Sequence, residues 1–397
     1  MPSLGMTTAL RGDRALSGMR ITAVEPVVVS VSERGDWVFV LVHTDAGLTG
    51  LGEASHSLND ALLIAALRSF ERRLIGTSPF AINATRAALR VADGGRIVHT
   101  AASAIEQALW DIVGQALGVP IHVLLGGAVR ERIRLYANIN RHVTDRSPEG
   151  FARAAKEAVR EGFTAVKLAP FDELRAPDHV RTGPRAAWRP GIERVRAVRA
   201  AIGPEVDLAV DCHGRMDPSE AIAVGQALAD YGLMWYEEPV PHTYPRELAR
   251  IAQAVPMPLA SAESVFGLEG FQPFLLEPVV DVLMPDVKHC GGILSLRHIA
   301  EAAKLHHLLV APHNPSGPVA TVASGHVVST LSNFLILEYA WGEVPWRAEL
   351  ITPSEPVRDG YLYLSQAPGL GYRLNEEVVE AHRKGLASGH DSTRVRV

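Results

Sequence analysis

The chain has 397 residues, with 39 basic side chains against 44 acidic ones and a formal charge of −5. That balance carries no electrostatic footprint for nucleic acid, two cysteines exclude a disulfide framework and a thiolate zinc site, and no uninterrupted apolar run reaches the roughly 18 residues of a membrane span. With 47% hydrophobic residues the chain can fill a sizeable core, and its length predicts two or three domains, or one large barrel with an accessory part.

Residues 1–18 are polar, contain glycine and show no period, so they read as a disordered leader. They lack the compact apolar segment and cleavage site of a signal peptide, and a cytoplasmic protein is expected. Strand-like runs follow at 21–31, 37–43 and 48–54, the last two joined by Thr44-Asp45-Ala46-Gly47, a hairpin signal. Gly47-Leu48-Thr49-Gly50-Leu51-Gly52 is glycine-rich but has neither the residue order nor the strand-to-helix setting of a dinucleotide site. Helical patterns mark 60–74, 81–91 and 100–117. In the third, Ala101, Ala104, Ile105, Ala108, Leu109, Ile112 and Ala116 recur at helix spacing before Gly118 and Pro120 end it. Residues 19–130 therefore read as an α+β domain.

From residue 131 the texture becomes regular. Strand-like runs at 133–137, 165–169, 206–210, 233–236, 259–262, 282–284, 308–311 and 334–337 alternate with helical stretches such as 192–201, 218–229, 293–305 and 319–330. Eight such units predict a closed parallel barrel over 131–353. Residues 172–190, rich in Arg, Pro and Asp, form an excursion after one strand. The tail, 354–397, holds a short run at 360–364 and a Pro-Gly-Leu-Gly turn, and is expected to return to the first domain.

The end of each run carries the chemistry. Asp211, Glu237, Glu263, Asp286, His313 and Glu338 each follow an apolar run, at intervals of 26, 26, 23, 27 and 25 residues. In a barrel they converge on the C-terminal rim, where active sites sit. Any one of these acids alone reads as a helix N-cap or a surface carboxylate; the series at near-constant spacing reads as a site. Three carboxylates brought together in a dry mouth repel, and a hard divalent cation with oxygen ligands, Mg²⁺, resolves the repulsion.

These motifs resemble the enolase superfamily, in its mandelate racemase and muconate lactonizing branch, over nearly the whole chain after Ile21. The matching residues are Ala209-Val210-Asp211, Tyr236-Glu237-Glu238-Pro239, Ala262-Glu263-Ser264, Met284-Pro285-Asp286 with Lys288 and Gly291-Gly292, and Ala311-Pro312-His313. The first domain adds Ala104 to Asp111 (AIEQALWD) and Leu125-Gly126-Gly127. The resemblance implies a modified (β/α)8 TIM-type barrel with an α+β capping domain formed by the N-terminal part and the C-terminal tail. It implies one Mg²⁺ on Asp211, Glu237 and Glu263, with Glu238 supporting a ligand, and a small-molecule carboxylate substrate that loses its α-proton. It also implies a homo-oligomer; no nucleic acid or membrane partner is expected.

A base for that proton must titrate near neutrality, which is histidine's range. Asp286 and His313 resemble the family's His–Asp dyad. Asp211-Cys212-His213 is similar to the Asp-x-His of the family's acid-sugar dehydratases, galactonate dehydratase among them, in which the histidine protonates the departing 3-hydroxyl. His213 otherwise reads as a capping or surface histidine. Glu338 would hydrogen-bond the substrate carboxylate or enediolate. Many racemases and cycloisomerases of this branch carry Lys-x-Lys on the second strand, whereas this chain reads Val166-Lys167-Leu168-Ala169. The missing lysine favours β-elimination, and Lys167 is left to orient the substrate carboxylate or to pair with a neighbouring acid. The sequence thus predicts a Mg²⁺-dependent sugar-acid dehydratase, a hydro-lyase of aldonates or aldarates giving a 2-keto-3-deoxy acid. An epimerase, racemase or cycloisomerase with the same dyad is the alternative, and a catalytically silent binding barrel the alternative from another class. Residues 32–35 and 54–59 fall where the family's capping loops cover the substrate; His56 could contact substrate there, though it reads first as an exposed loop histidine. His306 and His307 read as a favourable pair at a helix C-terminus, and the arginines at 181–189 as a solvated loop.

Overall fold

The computed structural model describes residues 18–32, 35–56, 58–89, 94–174, 187–277 and 279–385. The leader through residue 17, parts of the loops at 32–35 and 54–59, the end of the 81–91 helical pattern, the arginines at 181–186 and the last twelve residues lie outside the described residues. Among the described residues, no helix is long and apolar enough to cross a membrane.

The first layer is an antiparallel meander, β1 (Ile21–Ser32), β2 (Gly35–Thr44) and β3 (Thr49–Glu53). Helices α1 (Asp60–Leu74), α2 (Ile82–Leu89) and α3 (Gly95–Leu117) pack on it. Asn59 starts α1 by accepting the Leu62 N–H at 3.0 Å, and Gly118 ends α3 in the left-handed conformation, with φ 71°. The glycines of β3 have a steric purpose. A Cβ on Gly50 would stand 2.0 Å from the Ala108 carbonyl oxygen, and one on Gly52 2.0 Å from that of Ala104. Only glycine lets β3 lie this close to α3, so the glycine-rich run serves packing. Val38, Val40, Val42, Leu63, Leu67, Ala104, Ala108 and Ile112 fill the space between sheet and helices.

The second unit is the barrel: β4 (Ile133–Asn138), β5 (Ala165–Leu168), β6 (Asp207–Asp211), β7 (Leu233–Glu237), β8 (Leu259–Ser261), β9 (Val282–Leu283), β10 (Leu309–Val310) and β11 (Leu337–Ala340). Neighbours pair in parallel from β4 through β10, and β11 pairs in parallel with β4. The ring closes between β10 and β11 through a single parallel bridge, Val310 to Phe334. The last strand therefore differs from the sequence expectation of 334–337: Phe334 supplies the bridge, the ladder proper begins at Leu337, and Glu338 lies within the strand. Helices α4 (Pro148–Arg160), α5 (Arg189–Ile202), α6 (Pro218–Ala227), α7 (Pro245–Ala252), α8 (Gly292–Leu305) and α9 (Pro318–Val328) alternate with the strands.

Three buried acids join the two units, each by capping backbone from across the boundary. Glu53 accepts the Gly317 and Ala320 N–H groups, both at 2.7 Å, at the start of α9. Glu106 accepts from Ile293 at 2.7 Å and Leu294 at 3.0 Å in the first turn of α8. Asp111 accepts from Leu51 at 2.9 Å and from Leu370, in the tail, at 2.8 Å. Each carboxylate meets donors that the helix or strand end would otherwise leave orphaned. Beyond β11, residues 361–362 pair with the start of β4, and Gly369 bonds Ile121 and Val119 in the first unit.

Burial raises the Glu106 carboxyl from 4.5 to about 7, against the pull of the Leu294 and Ile293 N–H groups. A carboxyl with a raised folded-state pKa holds its proton in the native protein where the unfolded chain has released it. Its contribution to stability is therefore lost as pH rises from about 4.5 to about 7 and is flat above that. Glu106→Gln is expected to shrink this slope in melting temperature measured across the window. An unchanged slope would remove Glu106 as its source.

Candidate active site

The acids at the strand ends meet over the C-terminal mouth of the barrel. Asp211 closes β6, Glu237 closes β7 and Glu263 follows β8; one carboxylate oxygen from each lies within 4.8 Å of the others. Asp211 and Glu237 are buried and Glu263 is half-buried. Burial, the Glu238 charge and the Asp211 charge push Glu263 up to about 8, and burial with the Asp211 charge pushes Glu237 well above the carboxylate range. Glu263 Oε2 is buried without a hydrogen-bond partner among the described residues. Crowded like charges and an orphaned acceptor are what a cation-binding set of oxygens presents before the cation is counted. Glu238, with φ 37°, turns to accept Ser261 Oγ–H at 2.9 Å and the Ala262 N–H at 3.2 Å, bracing the segment that carries Glu263.

Lys167 in β5 is fully buried below these acids. Its Nζ lies 2.8 Å from Glu237 Oε1, 3.1 Å from Glu338 Oε1 and 3.3 Å from Asp211 Oδ2. Of the two roles open from the sequence, pairing with neighbouring acids is the one the geometry displays. Glu338 takes further bonds from Asn138 Nδ2 at 2.6 Å and the Asn314 N–H at 2.7 Å. Burial raises its pKa, but Lys167 first, then His313, Asn314 and Asn138, hold it below the ordinary carboxylate range. Glu338 is therefore an acceptor with no proton to offer.

Two histidines flank the three acids, each touching a different one. His313 Nδ1 is 2.7 Å from Asp286 Oδ2, and its Nε2 is 3.4 Å from Glu263 Oε2. Asp286 is fully buried; burial raises its pKa, but Lys288, His289 and His313 hold it well below the carboxylate range. On the other side, His213 Nε2 is 3.2 Å from Asp211 Oδ2 and Nδ1 is 2.6 Å from Asp172 Oδ1. Burial opposes a charge on His213, but Asp211 and Asp172 raise its pKa well above the ordinary histidine range. Its backbone has φ 50°, in the left-handed region, uncommon for residues other than glycine although histidine, with asparagine and aspartate, adopts it more often than most.

Asp211, Glu263, Lys167, Glu338, His313 and His213 line one cavity of about 360 Å³, whose remaining walls include His56, Arg96, Asn138, Asn140 and Arg141. His56 is thus not the exposed loop histidine the sequence suggests. It is half-buried on the cavity wall, with φ 62°, and burial first and then Arg141, Lys288, His289 and His313 keep its imidazole neutral. Asn138 ends β4 where other strands end in acids, so the same strand-end pattern could have found it had amides been included. Arg96 comes from the first turn of α3, and no local signal links it to the barrel.

An α+β cap over an eight-stranded parallel barrel, with acids and two histidines gathered at the C-terminal rim, defines a capped α/β-barrel protein with a single polar mouth. Comparison with known families places it further. Residues 18–126 match the mandelate racemase/muconate lactonizing enzyme N-terminal domain, and residues 150–378 match the enolase C-terminal domain-like family. D-Xylonate dehydratase of Haloferax volcanii is 33% identical over 87% of this chain and 85% of its own length. D-Galactonate dehydratase of Pectobacterium atrosepticum is 32% identical over 86% of this chain and 90% of its own. Among solved structures, a mandelate racemase/muconate lactonizing enzyme from a Sulfitobacter species superposes with a TM-score of 0.85 at 29% identity, over 92% of this chain and 95% of that one. The chain belongs to the mandelate racemase/muconate lactonizing enzyme branch of the enolase superfamily.

Proposed function

We propose that the protein is a Mg²⁺-dependent hydro-lyase that converts a sugar acid to its 2-keto-3-deoxy product. The observation that carries this reading is the pair of imidazoles on either side of the acids, one set up to accept a proton and the other to give one. Relatives named D-xylonate and D-galactonate dehydratase support the same reaction class.

His313 is the base. Its Nδ1 donates to Asp286, which fixes the tautomer and leaves Nε2 free to take the proton from the carbon next to the substrate carboxylate. His213 gives a proton to the 3-hydroxyl as that group leaves as water; the Asp172 carboxylate at its Nδ1, which is not one of the acids assigned to the metal, favours the protonated ring. Asp211, Glu237 and Glu263 would hold Mg²⁺, an ion suited to oxygen ligands; when bound it supplies positive charge where the substrate carboxylate becomes more negative. Glu338, being an acceptor, acts on substrate oxygens through the donors it anchors, Asn138 and Lys167. A homo-oligomer in the cytoplasm is part of the same proposal, by family resemblance.

A panel of aldonates and aldarates incubated with enzyme and Mg²⁺ should yield a 2-keto acid from at least one member. Chelation of Mg²⁺ should abolish the activity and re-addition restore it. A carboxylate that exchanges its α-proton in D₂O without ever losing water would instead mark an epimerase or racemase.

A further inference from the structure

The cavity has a wall that the reaction at its acidic end does not use. Arg96 stands there with no carboxylate among its partners in the described residues. Its Nη2 donates to the His56 carbonyl at 3.0 Å and to His289 Nε2 at 2.9 Å, and Nη1 reaches Ser264 Oγ at 3.3 Å. The hydrogen-bond directions close into a ring: Thr100 Oγ–H donates to the Arg96 carbonyl at 2.7 Å, so Thr100 accepts from His289 Nδ1 at 2.8 Å, and His289 Nε2 is a bare acceptor for Arg96. His289 is therefore neutral, and among the described residues the guanidinium has no anionic partner. Other charges on the wall are answered. Arg141 pairs with Glu343 at 2.7 Å and Asp36 with Lys384 at 2.6 Å, while Asp60 stands in the first turn of α1, where a helix favours an acid.

Three nitrogens of the cavity-lining residues are buried without a hydrogen-bond partner: Arg96 Nε, His56 Nε2 and Asn140 Nδ2. Buried polar groups rarely stay unpaired, and the orphaned Arg96 and Asn140 donors, beside a cation with no anionic partner among the described residues, mark the seat of an anion. The field has the same sign: after burial, the Arg141 and Lys288 charges disfavour a proton on His56.

We infer that Arg96, with His56 beside it, is a second anion subsite of this cavity, and that the substrate is a sugar diacid whose far carboxylate binds there. The inference rests on the sugar-acid reading above and narrows it from sugar acids in general to aldarates. A planar carboxylate suits the guanidinium fork, and a cavity of about 360 Å³ is in the size range of small-molecule sites.

The test uses a hexarate and the hexonate of matching configuration, which differ only in the terminal CO₂⁻ or CH₂OH, with the Mg²⁺-loaded enzyme. Wild type should prefer the diacid. Arg96→Gln should lower kcat/KM for the diacid by about 10- to 100-fold, mainly through KM, with the monoacid changed by less than about 3-fold. Arg96→Lys should restore part of the loss. Preference for the monoacid, or an equal effect of Arg96→Gln on both, overturns the inference while leaving the dehydratase reading intact. Should neither acid react, the dehydratase reading is decided separately by the panel of sugar acids, and calorimetric binding of the same two acids decides the subsite. Tighter binding of the diacid that is lost in Arg96→Gln sustains it, and equal binding overturns it. Stronger binding of a 6-phosphorylated hexonate than of the hexarate overturns the carboxylate assignment.

Discussion

Asparagine in place of His313 lowers kcat/KM for dehydration by roughly 10²- to 10⁴-fold and, in D₂O, stops exchange of the substrate's α-proton. The two effects go together because, in the proposed function, His313 is the base and its contacts lock the ring orientation. Its Nδ1 is bound to Asp286 at 2.7 Å, which leaves Nε2 on the cavity side, next to Glu263. Asparagine still offers an N–H toward Asp286, and Asp286 keeps its bonds from the Lys288 backbone N–H at 2.7 Å and from the Lys288 ammonium. The buried carboxylate is therefore not stranded, and the melting temperature should stay close to that of wild type. A variant that folds and still exchanges the α-proton at the wild-type rate would move the base to another residue.

The parts of this site that are legible in the sequence are those built by local pattern. Asp211 and Glu237 each close an apolar run that becomes a strand, and strand ends in a parallel barrel point to one mouth, so linear spacing translates directly into proximity. Glu338 obeys the same rule although its strand begins three residues later than the pattern suggests, since the ladder of β11 starts only after the bridge at Phe334. What the sequence leaves dark is whatever depends on docking one unit on another. Glu53, Glu106 and Asp111 look like ordinary acids on a strand and a helix, yet each ties the cap to the rest of the molecule through backbone donors far away in sequence. Arg96 and His56 reach the barrel's mouth by the same docking, which no period announces. The histidine count of 16 also misleads by itself. His289 and His326 are buried, and burial lowers the pKa of each; they serve hydrogen-bond networks away from the reacting carbon. Residue type alone could not separate them from His313 and His213. Their partners do.

Replacing His213 by glutamine should split the reaction in two. Dehydration is expected to fall by roughly 10²- to 10⁴-fold, the usual worth of a positioned general acid, while α-proton exchange in D₂O persists. The reason lies in the two acids that grip this ring. Asp172 at 2.6 Å and Asp211 at 3.2 Å favour the imidazolium, so at neutral pH His213 holds a proton it can deliver to a leaving hydroxyl, whereas His313 faces the opposite side of the acids. Without that proton the departing group would have to leave as hydroxide, and the abstracted α-proton is instead replaced from solvent. Glutamine keeps an N–H for one of the two carboxylates but has no proton to transfer, which separates acid catalysis from simple support of Asp211. The readout is the ratio of exchange to 2-keto acid formation, which rises sharply only if His213 acts after the α-proton has gone. Exchange and dehydration falling together by the same factor would mean that His213 holds Asp211 in place, and unaltered dehydration would remove it from the reaction.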